Sequence, residues 1–288
     1  MRAIALFLVI AFGFSWAVAG RLHLDGGFEG TGSWATLYLT VFMFGPSLAA
    51  LTCALIFDRG RRLDALGFKP GRVVPVLVWT VWGWVLPILL VALSSLLVLI
   101  LTRSGPADAA ARLAETIFEA TGEDQLPMPA ETLLILQLAV GLPIGILTNT
   151  AILMISEEIG WRGWLQPRLA PLGFWPAALV SGVIWGLWHA PIILMGFNYP
   201  GMGLAGVAAM VAFTTLLTPY LALLRERGGG VFAAGAFHGC INAVAGIGLL
   251  YLPDPDFPWN GLLGLAGFGV LAAGWPLIAL YRAKKKPA

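Results

Sequence analysis

Eight stretches of about 20 predominantly apolar residues divide this chain, and no other feature limits its folding so severely. They run approximately over 3–20, 35–57, 73–101, 133–155, 174–195, 204–224, 230–251 and 260–281. Hydrocarbon offers no partner to an unpaired backbone N–H or C=O, so an apolar stretch of that length crosses a bilayer as a helix. The expected fold is all-α: a polytopic transmembrane helical bundle with about eight spans. Composition agrees. Apolar residues make up 59% of the 288 and charged residues only 11%, against about 25% charged in soluble domains. The net charge is +2, and no basic patch with interleaved aromatics occurs, so nucleic acid is not an expected partner. Membrane lipid is.

Orientation follows from the positive residues. With eight spans and a cytoplasmic N-terminus, all but three of the 17 Lys and Arg fall on the inner side. The exceptions are Arg21, Arg103 and Arg112. Both termini are therefore expected in the cytoplasm, and one span more or fewer would spoil the asymmetry. Residues 1–132 form three N-terminal spans and a long outer loop, 133–251 a polar-motif core, and 252–288 a last span with a basic tail. Within the outer loop, Asp108 to Thr121 reads as a short helix with Leu113, Ile117 and Phe118 on one side. The first stretch resembles a secretory signal ending at Ala17-Val18-Ala19, but the many spans after it favour an uncleaved helix. Cys53 and Cys240 lie within apolar stretches and read as small buried side chains, without a disulfide. His23 reads as an interfacial polar residue.

Four ionisable residues interrupt the apolar half of the chain: Glu157, Glu158, His189 and His238. A charged residue at mid-helix costs about 2.5–3.5 kcal/mol on insertion scales, so such residues face polar cavities and mark function. Glu158 and Arg162 are four apart and can pair on one helix face. Glu157 points about 100° away and is left without a local partner, which suits a base. Trp185 and His189 share a face of span five. His238 and Asn242 share a face of span seven, and both can donate to a developing oxyanion. Gly235 and Gly239 on that helix permit close packing.

Glu-Glu-x-x-x-Arg, aromatic-x-x-x-His and Phe-His-x-x-x-Asn, in this order on separate membrane segments, resemble the CAAX protease and bacteriocin-processing enzyme family. That family is related to the Ras-converting CAAX endopeptidase. The resemblance covers about residues 135–250, with Trp185 standing where the family often has Phe. It implies an intramembrane endopeptidase. Glu157 and His189 would activate a water, His238 and Asn242 would form the oxyanion hole, and Glu158, Arg162 and Trp185 would give structural support. Members are commonly labelled metalloproteases. Glu157, His189 and His238 would be the ligands of a catalytic zinc, yet the spacing lacks His-Glu-x-x-His, and the preferred reading needs no cofactor. Two alternatives stand beside cleavage: a non-cleaving membrane binding or immunity protein, and a transporter, although no repeated half is visible. The expected partner is a peptide or protein, such as a C-terminal or signal-like segment. The expected location is a bacterial plasma membrane.

Overall fold

The computed structural model describes residues 2–69, 71–122 and 125–284. Among them every regular element is helical. Helix α1 (Arg2–Leu24) is followed, after a short turn, by α2 (Ala35–Met43) and α3 (Gly45–Phe57), which meet at Phe44. Then come α4 (Val73–Thr102), α5 (Ala109–Thr121) and α6 (Ala130–Leu172). The C-terminal half holds α7 (Phe174–Trp188), α8 (Gly203–Gly228), α9 (Phe232–Leu249) and α10 (Leu265–Lys284). Seven helices, counting α2 and α3 as one, are long and apolar enough to cross a membrane. The protein is an integral membrane helical bundle. The basic tail beyond Lys284 lies outside the described residues.

The expected span at 174–195 is helical only to Trp188, and Ala190–Leu194 forms a separate turn. Pro191 cannot donate to Leu187, so the ladder stops at His189. At 15 residues α7 is about 22 Å long, short of the roughly 30 Å hydrocarbon core. The break leaves His189 at a helix end, where its ring is free of the next turn. In α4 the opposite holds: 30 residues run unbroken through Pro87. At about 45 Å this helix must tilt to fit a bilayer. The short loop helix is present as read, with Asp108 capping it by accepting from the amides of Ala110 and Ala111 at 3.0 and 3.1 Å. Both cysteines are free and buried.

The connections gather at two ends of the bundle. At one end Arg168 binds Asp58 at 2.7 Å, Val231 N–H donates to Gly67, and Arg282 pairs with Glu226. At the other Ala107 N–H donates to Tyr251, and the Tyr199 hydroxyl donates to Leu263 at 2.9 Å. The first end carries Arg59, Arg61, Arg62, Arg168, Arg225, Arg227 and Arg282, the second only Arg21, Arg103 and Arg112 among the described residues.

Helix α9 is the centre, packed on α4, α6 and α8. Gly235 and Gly239 face α6, and a Cβ on Gly235 would come within 2.6 Å of Met154. A methyl group at Gly239 would overlap the Thr150 backbone. Gly239→Ala therefore must push α9 from α6, a strain of about 1–3 kcal/mol. The expected result is a lower melting temperature in detergent; an unchanged one would mean the two helices separate freely.

Candidate active site

The polar motif begins inside α6. From Met154 to Leu165 this helix winds in π-fashion, and every residue from Ser156 to Leu165 is buried. Such winding widens the turn and recurs at functional sites. Helices α1 and α3 close around it. Gly160 lets Pro46 approach, since a Cβ there would sit 2.6 Å from the Pro46 carbonyl oxygen. The Ser47 hydroxyl donates to the Ile155 carbonyl. Phe7 stacks on Trp164 at 5.0 Å and meets the edge of Trp161 at 5.7 Å, while Trp188 packs on Phe42 at 4.3 Å.

Two carboxylates next to each other in this wall have different surroundings. Glu158 is fully buried, and its Oε1 accepts from Arg162 Nη1 at 2.9 Å. The same oxygen lies 2.8 Å from His238 Nδ1 on α9. Arg162, also fully buried, reaches the Thr218 hydroxyl at 3.4 Å and lays its guanidinium 4.3 Å above the Trp185 ring. The pairing expected between Glu158 and Arg162 is present; the histidine as a third member is not something the spacing announces.

Glu157 is not without a local partner, as its position in the motif suggested. Its Oε2 accepts from Trp185 Nε1 at 2.9 Å and from Trp161 Nε1 at 3.4 Å. Neutral donors replace a cation, so the carboxylate is held in place without a direct ionic partner. Trp185 does more than shield His189. Its carbonyl accepts from His189 Nδ1 at 2.8 Å, and its ring meets the edge of His238 at 5.0 Å. A carbonyl only accepts, so His189 carries its proton on Nδ1 and Nε2 is left with the lone pair. Trp188 sits against the same imidazole at 4.7 Å.

Glu157, His189, His238 and Asn242 all line one cavity of about 540 Å³. Glu157, His189 and His238 are 3%, 8% and 4% exposed, so only their edges reach it. Asn242, one turn along α9 from His238, is exposed on its wall. Asn149 on α6 lines it as well, a residue the sequence reading passed over. Its polar run with Thr148 and Thr150, inside an apolar stretch, was the signal. Thr36, Leu39, Thr40, Phe42 and Met43 of α2 complete the wall. His23 is exposed elsewhere, near Arg21 and Asp25.

Among the described residues no group of three His, Cys, Asp or Glu side chains is placed to hold a metal ion. Glu157 Oε2 takes the two indole donors, and Glu157, His189 and His238, the zinc set the resemblance implied, are not assembled as a metal-binding group in this arrangement.

A buried carboxylate, two imidazoles and an amide surround a cavity inside a bundle of membrane-length apolar helices. Residues 139–244, which include all the motif residues from Glu157 to Asn242, match the family model described as type II CAAX prenyl endopeptidase Rce1-like. The match makes this stretch similar to a family of membrane endopeptidases, hydrolases acting on peptide or protein substrates. No curated protein matches the chain significantly.

Proposed function

We propose that the protein is an intramembrane endopeptidase in which Glu157 is the base for a hydrolytic water. The observation that carries this reading is the meeting of three distant motifs on Trp185, which donates to Glu157 and accepts from His189. A water between the Glu157 carboxylate and the His189 Nε2 lone pair gives its proton to Glu157 as its oxygen attacks the peptide carbonyl. The carbonyl oxygen becomes an oxyanion, which accepts from the Asn242 amide and from His238 Nε2–H. For that donation His238 is an imidazolium, with its Nδ1–H on Glu158. The charges then close: Glu157 and Glu158 against Arg162 and His238. When the C–N bond breaks, the proton held by Glu157 passes to the leaving amine. Glu158 and Arg162 position His238 and do not touch the substrate.

No metal takes part in this scheme. The purified protein is expected to keep cleaving a reporter peptide in a strong chelator, at a rate within about twofold of the untreated enzyme. Stoichiometric zinc, with activity lost on chelation and restored by zinc, would reassign Glu157, His189 and His238 as ligands. The substrate reading is a membrane-associated peptide or protein segment, and the location a bacterial plasma membrane. Comparing membrane peptides from cells with the wild-type protein and with a Glu157 variant tests cleavage and substrate together.

A further inference from the structure

Every residue lining the catalytic cavity lies on one side of Glu157 and His238. On α9 the lining residues run from His238 through Asn242 and Ala245 to Leu249, away from the helix's start at the basic end. Antiparallel α8 contributes Met210 and Phe213 from its half remote from Arg225 and Arg227, and Leu217 near its middle. Helix α2 contributes its whole length from Thr36, and the rim is made by Phe197, Asn198, Leu262 and Leu263, all in connections at the end poor in basic residues. Among the described residues, none from the basic connections 58–72, 163–173 or 225–231 lines the cavity. At that end Gly67, Gly163 and Val231 close on one another, with Gly67 accepting from the Val231 amide at 3.1 Å.

The cavity thus opens at the end opposite the arginines. Basic residues near span ends stay on the cytoplasmic side. Apart from Glu157, His189 and His238, the lining holds no charged side chain among the described residues; its other polar groups include the Thr36 and Thr40 hydroxyls and the amides of Asn149, Asn198 and Asn242. Such groups can satisfy the N–H and C=O of an unfolded backbone but not a charge. We infer that the substrate is an uncharged peptide segment that reaches the site from the non-cytoplasmic side, such as the outer part of a membrane span or of an exported chain. This rests on the endopeptidase reading for its chemistry, but the side of access does not depend on it.

The test is labelling of single-cysteine reporters in intact cells with a membrane-impermeant maleimide. Thr36→Cys at the rim and Ala245→Cys on the wall should react in intact cells. Asp64→Cys at the basic end should react only after permeabilisation. Wild-type protein, whose two cysteines are buried, is the blank. The reverse pattern, with Asp64→Cys labelled first and the other two only after permeabilisation, overturns the inference even if the protein proves a protease. In parallel, the wild-type protein should cleave a reporter whose segment is exposed outside and spare the same segment held in the cytoplasm. Placing Lys or Asp beside the cleaved bond should slow cleavage at least about tenfold. Equal cleavage of the cytoplasmic or the charged reporter also overturns it. Expected labelling with no cleavage of either reporter would leave the side of access standing and defeat the endopeptidase reading instead.

Discussion

Replacing Glu157 by Gln is expected to leave the protein folded and to remove peptide cleavage. Gln has the volume of Glu, and its amide oxygen can still accept the Trp185 and Trp161 indole N–H groups, at 2.9 and 3.4 Å in the wild type. The change also lifts the cost of a buried charge, so stability should be equal or higher. What the amide cannot do is take a proton from water. General-base catalysis contributes about 10²–10⁴-fold, and the loss should fall in turnover with little change in KM. Turnover of a reporter peptide and thermal denaturation of the same preparation decide it. A well-folded Gln variant that cleaves at the wild-type rate would defeat the assignment of Glu157.

The second large effect is on folding. Arg162→Leu removes the guanidinium from a fully buried pair and leaves the Glu158 carboxylate with His238 alone. Breaking a buried pair from one side costs about 3–5 kcal/mol, a large part of the roughly 5–15 kcal/mol that holds a protein together. The Leu variant should extract poorly and aggregate on warming. Arg162→Lys keeps the charge but loses the fork that joins Glu158 Oε1 to the Thr218 hydroxyl and should rescue only in part. Changing both partners, as Glu158→Gln with Arg162→Leu, should recover more stability than the Arg change alone retains, because the Glu158 carboxylate is no longer buried without its guanidinium. An Arg162→Leu protein that melts with the wild type would show that the pair contributes nothing to the fold.

The spans were legible because their length is dictated by the bilayer and needs no partner to be read. The exception, α7, ends early for a local reason that was visible in Pro191. Within the site, what lies on one helix could be read and what crosses between helices could not. Glu158 with Arg162 followed from a spacing of four. Glu157 with Trp161 has the same spacing, and was missed because an indole carries no formal charge to draw attention. Trp185 reaching Glu157 from 28 residues away, and His238 reaching Glu158 from 80, are products of packing. No periodicity encodes them. The π-winding of α6 was equally hidden, and so was the close approach of Pro46, on another helix, to Gly160 within it.

Phe7, Pro46, Ser47 and Phe42 belong to the first three helices, before the stretch that matches the family begins at residue 139. Yet they form the outer support of the segment carrying Glu157, and α2 is one side of the cavity it faces. The matched stretch is therefore not a self-sufficient module. A change in these helices that removed the bulk at Phe7 and Phe42 or the proline at 46 would loosen that support, and a chimera that exchanged them would inherit a different chamber along with them.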